Sequence, residues 1–260
     1  MVRRSPRVHD EPAYVVHQYD WSESSLILDV WARHHGRVVL VAKGAKRATS
    51  PLRAVLLPLQ PLRLDWSGAD EVRTLRAAVW AGGHVLPRGD ALLAGYHLNE
   101  LLLRLLPRGE PHPGLFDAYA AAVLGLGQGQ PAAPLLRAFE LLLLRAQGWL
   151  PDLAHTAAAL QPLHPTQHYR LVPEHGLLPC EAERGLPGEQ WLRLAAALQT
   201  PEPWAALHAS AYAVLAAPAL RQALLPLLHY HSGVRTLRSR ALWREVQRLL
   251  PTPTTSDTVS

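Results

Sequence analysis

The sequence predicts an α+β chain in two parts, a small five-stranded β-barrel followed by a mostly α-helical domain. Three observations predict it. Residues 13–80 hold short runs of β-branched and aromatic residues with the period of strands, separated by turn residues. Ala81 to Asp90, A-G-G-H-V-L-P-R-G-D, breaks that pattern. Beyond it, apolar residues recur at helical spacing almost to the C-terminus. The expected division is 1–82 for the barrel, 83–250 for the helical domain with an irregular insert near 151–188, and 251–260 for a polar, disordered tail.

The expected strands are Ala13 to Tyr19, Ser25 to Trp31, Arg37 to Ala42, Val55 to Trp66 and Glu71 to Trp80. Turn signals separate them: D-W-S-E at 20–23, His35-Gly36, T-S-P at 49–51 and S-G-A-D at 67–70. Pro58 and Pro61 fall inside the fourth run and argue for an edge or a bulge there, because proline brings no N–H to a ladder. About five short strands over this length suit a closed barrel of the oligonucleotide-binding (OB) type, with a sandwich fragment as the alternative.

Asp90 is a candidate N-cap for the first helix, whose apolar face is Leu98, Leu101, Leu102, Leu105 and Leu106. His97, Glu100 and Arg104 fall on another face, with Glu100 and Arg104 at the favourable i, i+4 spacing. A second helix is expected from about Gly114 to Leu126 and a third from Leu135 to Gln147, stopped by Gly148. The proline- and histidine-rich stretch from Pro151 to Gly188 has no sustained period, apart from a short hairpin around Tyr169 to Leu178. Helices resume at Gln190 to Leu198, Trp204 to Ala217 and Ala219 to Leu228. After His231-Ser232-Gly233 a last helix, Thr236 to Leu250, carries Arg240, Arg244 and Arg248 as a basic stripe.

A chain of 260 residues with 48% hydrophobic and 18% charged residues has material for a sizeable core. Its net charge of +5 favours an acidic partner, nucleic acid first and an anionic membrane second. The single cysteine, Cys180, excludes an internal disulfide and suits a reducing cytoplasm. The basic N-terminus leads to no apolar segment of the secretory kind, and no apolar run is long enough to cross a bilayer.

The positive charge is concentrated between Trp31 and Arg53, which contains Arg33, Arg37, Lys43, Lys46, Arg47 and Arg53; no acid interrupts the chain between Asp29 and Asp65. A valine-rich strand leads into the loop A-K-G-A-K-R, where Gly44 lets the backbone approach a ligand closely. Lys43 and Lys46 are the only lysines of the chain, so two compact, strongly hydrated ammonium groups meet in this loop. Such a loop can neutralise phosphates; a solvated hairpin with incidental charge is the alternative.

No Walker loop, nucleophile elbow, H-E-x-x-H or dinucleotide fingerprint occurs. His155, His164, His168 and His175 precede Cys180, but their spacings match no closed zinc site, and no metal is expected. Cys180 has no activating motif. Trp21, Trp31, Trp66 and Trp80 lie in or beside the strand region and could stack on bases, although at least two of them are expected in the core.

The string of motifs is distinctive. It runs Val15-Val16-His17, W-S-E-S-S-L-I-L-D-V, G-R-V-V-L-V-A-K-G-A-K-R, L-L-P-L-Q-P-L, E-V-R-T-L-R, G-Y-H-L-N-E-L-L-L-R-L-L, L-R-A-F-E-L-L-L-L and a closing L-R-S-R. From about Ala13 to Leu250 it resembles the RecO family of recombination mediators. The resemblance implies an OB fold packed on a helical domain, no catalytic turnover, no cofactor, and a bacterial, nucleoid-associated location. It also implies binding of single- and double-stranded DNA, annealing of complementary strands, capture of the acidic C-terminal tail of single-stranded-DNA-binding protein (SSB), and loading of RecA together with RecR. Many members carry a four-cysteine zinc module where this chain has only Cys180, so none is expected here.

On this reading Arg33, Arg37, Lys43, Lys46, Arg47 and Arg53 hold phosphates, and Arg238 and Arg240 extend the track. The resemblance assigns Trp66 and Arg137 to the tail-binding pocket, where an arginine fork can grip a terminal carboxylate. Arg137 has a second reading, an i, i+3 ion pair with Glu140 on the helix surface, or simple solvation. A reading from another class is a non-catalytic scaffold whose barrel binds an acidic protein partner instead of DNA.

Overall fold

The first strand is long because it serves two neighbours. In the computed structural model, which describes residues 6–83, 85–157, 160–234 and 237–249, β1 (Arg7–Asp20) is followed by β2 (Leu26–Ala32) and β3 (Gly36–Ala42). A single helical turn, α1 (Leu52–Val55), leads to β4 (Leu62–Ser67) and β5 (Val72–Trp80). The N-terminal half of β1 pairs with β4 and its C-terminal half with β2, while β3 and β5 run parallel. The barrel therefore closes in the order β1-β2-β3-β5-β4, which is OB topology.

The fourth expected strand is shorter than its run. Val55 to Pro61 is outside the sheet, and the strand begins only at Leu62, after both prolines. Conversely, β1 starts six residues before Ala13, across Asp10, Glu11 and Pro12, and an irregularity between Val8 and Glu11 absorbs them. Asp10 there takes a positive φ of 51°.

Alternation divides β1 between two cores. Ala13 and Val15 point into the barrel with Leu28, Val30, Leu40 and Trp66. Tyr14 and Val16 point outward into the core of the helical domain, as does Trp31 of β2. A bulge between Val15 and His17 then reverses the phase, so that His17 and Tyr19 are exposed while Gln18 reaches the carbonyl of Leu56.

The helical domain begins with α2 (Asp90–Leu105), α3 (Pro113–Gly127) and α4 (Ala132–Ala146). Gly89, with φ of 54°, holds the cap position of α2, and Asp90 is its first residue. Gly148 turns the chain out of α4 at φ of 69°. The insert forms a three-stranded sheet of β6 (His168–Val172), β7 (Gly176–Pro179) and β8 (Leu186–Pro187). Four helices follow, α5 (Gly188–Leu198), α6 (Pro203–Ser210), α7 (Tyr212–Ala216) and α8 (Pro218–Ser232), and then α9 (Arg238–Leu249). The single helix expected over Trp204 to Ala217 is thus two, broken at Ala211. Both α6 and α8 start on a proline, whose missing N–H costs nothing in a first turn. The tail at 251–260 and the side chains of Arg240, Arg244 and Arg248 lie outside the described residues.

The two parts share an aromatic seam. Tyr14 and Trp31 meet Phe116 and Tyr119 of α3 with ring centroids 4.9–5.5 Å apart. Asn99 of α2 donates to the carbonyl of Val16 at 3.1 Å and accepts from the Tyr119 hydroxyl at 2.5 Å. Those bonds satisfy polar groups that would otherwise be stranded in an apolar interface. Burial raises the Tyr119 hydroxyl well above the ordinary tyrosine range, so it remains a donor.

Candidate nucleic-acid interface

The basic loop is fixed to the end of the barrel. Ala45 is fully buried among the barrel residues, which turns Lys43 and Arg47 outward on either side of it. Gly44 permits the turn with φ of 71°, and Arg47 N–H donates to the Gly44 carbonyl at 3.2 Å. Arg53 is exposed on α1. These three cations surround the barrel end that Ala45, Leu52 and Leu56 close.

Lys46 behaves differently. Its backbone N–H donates to the Ser24 carbonyl at 3.0 Å, and its Nζ donates to the Ser22 carbonyl at 3.1 Å. Nζ also lies 3.1 Å from the Asp20 carboxylate. Lys46 therefore ties the β1–β2 turn to the basic loop, with part of its charge already compensated.

Two of the expected phosphate ligands face the helical domain instead. Arg37 is buried; its Nε and Nη2 grip both oxygens of Asp29 at 3.1 and 2.9 Å. Its Nη1 donates to the carbonyls of Leu102, Leu103 and Leu106 at 3.1, 2.9 and 2.6 Å. Leu102 and Leu103 lie in the last turn of α2 and Leu106 is its C-cap, so Arg37 caps the end of α2 from the barrel, sharing the Leu102 carbonyl with the Leu106 N–H. Arg33 makes a bidentate pair with Asp117 of α3, both bonds at 2.8 Å. Charge counted along the sequence cannot distinguish such struts from free cations.

The expected tail-binding residues are also enclosed. Trp66 is 1% exposed and belongs to the barrel core; its ring meets His35 edge-on at 5.2 Å. Arg137 is 3% exposed in α4 and pairs with Glu140, so the ion pair forms in the interior and not on the helix surface where the second reading put it. The two residues lie in different cores and do not form a surface pocket.

Glu140 in turn meets Nε2 of His97 at 3.1 Å, and His97 Nδ1 meets the Ser239 hydroxyl at 3.1 Å. His97, which the helical period sets off the leucine face, is thus a buried link between α2, α4 and α9. Glu100 receives the backbone N–H groups of Arg238 and Ser239 at 2.8 Å each and is paired with Arg104 at 2.9 Å. The side chain of Arg238 is exposed.

Of the four tryptophans in or beside the strand region, Trp31 and Trp66 are buried, whereas Trp21 and Trp80 are 65% and 49% exposed. Trp21 shares the turn held by Lys46, while Trp80 ends β5, six residues beyond the Thr74–Val41 pairing. That is about 20 Å along the strand, in the direction in which the parallel strand β3 runs toward the basic loop. Sequence reading passed over Tyr19, which is 48% exposed beside Trp21. The only available signal was its place two residues beyond His17, and the bulge that aims both outward was not readable.

Among the described residues no group of three or more His, Cys, Asp or Glu could hold a metal ion. His155 is held by Asp152 at 2.7 Å, and His175 by the Pro173 carbonyl at 3.0 Å. Burial pushes the Cys180 thiol up, which disfavours the reactive thiolate.

Comparison with known families gives the same result over both parts. The model described as Recombination protein O N terminal matches residues 7–83, and Recombination protein O C terminal matches residues 86–241. A curated relative from Variovorax paradoxus (strain S110), named DNA repair protein RecO, is 53% identical over 252 residues, covering 94% of this chain and 98% of that protein. Relatives of the same name from Polaromonas naphthalenivorans (strain CJ2) and Acidovorax ebreus (strain TPSY) are 52% and 51% identical, each covering 94% of this chain and 99% and 98% of their own length.

Proposed function

This chain belongs to the RecO family, and from that premise we propose that it is a non-catalytic recombination mediator of bacterial DNA repair. Its barrel holds single- and double-stranded DNA and anneals complementary strands. With RecR it helps load RecA onto DNA coated by SSB, whose acidic C-terminal tail it contacts. Curated relatives named DNA repair proteins support a role in repair.

The single observation that carries the DNA-binding part is the gathering of Lys43, Arg47 and Arg53, exposed, at one barrel end. Fixed cations of this kind release counterions from a phosphate chain. Arg238 is exposed as well and would extend the track; Arg33, Arg37 and Lys46 act as struts. The tail contact has no residues assigned to it here, since Trp66 and Arg137 are enclosed. No described helix is long and apolar enough to cross a membrane.

The test is the salt dependence of DNA affinity. Replacing Lys43, Arg47 and Arg53 together by alanine should flatten the slope of log K against log salt by about 2 on single strands and closer to 3 on duplex. An unchanged slope would remove this end of the barrel from the DNA site. If an acidic protein is the true ligand, a single-stranded oligonucleotide will fail to compete with it. For the partner part, annealing of SSB-coated strands should fall when SSB lacks its last residues.

A further inference from the structure

The outer face of β1, β2 and β3 is only partly covered. One cross-strand row, Tyr14–Trp31–Arg37, is sealed under α2 and α3. Toward the other end of the strands, the row Tyr19–Ile27–Val41–Thr74 has no buried member. Tyr19 stands in that row because the bulge after Val15 has turned it out of the barrel. His17 packs edge-on against its ring at 4.4 Å and so supports it.

Trp21 follows immediately after β1. Its turn is closed by Trp21 N–H donating to the Ser25 carbonyl at 3.3 Å, and Lys46 clamps it from the far side. An isolated exposed aromatic needs no explanation. Here Tyr19 stands in register with half-exposed Ile27 and Val41, and exposed Trp21 follows two residues on in the turn that Lys46 holds, with Lys43 and Arg47 exposed in the loop after β3. The acids nearby are Asp20, which Lys46 pairs, and exposed Glu23.

We infer that this uncovered row, with Tyr19 and Trp21 as its rings, is a stacking platform for the unpaired bases of single-stranded DNA. The inference rests on the DNA-binding reading above and adds to it the means of telling strands from duplex. Aromatic rings beside a basic rim are what a sequence-tolerant single-strand site requires. Bases within a duplex already stack on one another at about 3.4 Å per residue of each strand, so they offer no free face to a ring. The cations should therefore serve both forms of DNA, and the rings only one.

The test compares the full-length protein with Tyr19→Ala, Trp21→Ala and the double variant on single-stranded and duplex oligonucleotides across a salt series. Each alanine should weaken single-strand binding by about 5- to 150-fold. Duplex affinity and both salt slopes should stay unchanged, because no phosphate contact is lost. Tyr19→Phe and Trp21→Phe should retain most of the affinity. A single strand with abasic residues at its centre keeps its phosphates but lacks bases, so the unaltered protein should bind it as weakly as the double variant binds normal DNA.

Equal losses on single strands and duplex, unchanged single-strand affinity, or no penalty for abasic DNA would each overturn the platform while leaving DNA binding intact. Failure of the unaltered protein to bind either form would overturn the underlying reading, and the platform with it.

Discussion

Replacing Arg37 by alanine should weaken the fold severely while leaving the salt slope of DNA binding unchanged. The guanidinium closes a fork on Asp29, which is only 2% exposed, and caps three carbonyls of α2. Without it, the Asp29 carboxylate keeps, among the described residues, the more distant Arg108, whose Nη2 lies 3.6 Å away on a half-exposed side chain. Removing one member of a buried ion pair costs about 3–5 kcal/mol, mostly because the other charge is left stranded. In a chain of this size that corresponds to a fall in Tm of roughly 6–20 °C. Urea denaturation followed by tryptophan fluorescence, with a thermal melt alongside, measures it. Arg37→Lys should rescue little, because an ammonium cannot reproduce the planar fork. Arg37→Met with Asp29→Leu should cost less than Arg37→Ala alone, since no lone charge remains. A loss below about 1 kcal/mol, the range of an exposed pair, would refute the strut and return Arg37 to the surface.

Two further outcomes follow from close contacts. Gly36→Ala should destabilise strongly, because Gly36 has φ of 66° and an added Cβ would lie 2.4 Å from the Glu110 carbonyl oxygen. Gly44→Ala, with φ of 71° and nothing nearer than the Arg47 side chain at 3.7 Å, should cost only about 1 kcal/mol; equal urea midpoints for the two would contradict the close approach. Burial pushes the Glu100 carboxyl up, but the donors of Ser239, Arg238 and Arg104 outweigh it, so its folded value lies below the ordinary glutamate range. A depressed carboxyl stabilises fully above its unfolded value of about 4.3 and loses that contribution as pH falls through the folded value. The protection factor of the Ser239 amide, its exchange rate relative to that of a free amide at the same pH, should accordingly fall below about pH 4.3, and Glu100→Gln should remove most of this pH dependence; an unaltered profile in that variant would sink the assignment.

Where burial and local propensity agree, the element is readable in the sequence. Valine-rich β3, buried on both faces, and leucine-rich α2 and α4 stand where β-branched content and helical period put them. The start of β1 was hidden because Asp10, Glu11 and Pro12 have turn chemistry, and only pairing with β4 draws them into a strand. The break at Ala211 carries no proline or glycine to announce it. At the candidate site, the loop's exposure could be read from local signals, since Gly44 and its flanking lysines act through their own backbone turn. The roles of Arg33, Arg37 and Lys46 could not, because Asp117, Asp29 and Asp20 reach them only after the chain has folded. A one-residue bulge, invisible in composition, decides that Tyr19 faces water.

The aromatic seam has a consequence for dissecting the molecule. Tyr14, Val16 and Trp31 are walls of the barrel on one side and contents of the helical core on the other. A fragment ending near residue 82 would expose that greasy stripe together with Asp29 and the Arg37 guanidinium, stripped of its α2 carbonyls. Such a fragment should clump or melt early, and the intact chain should lose both halves in a single cooperative step.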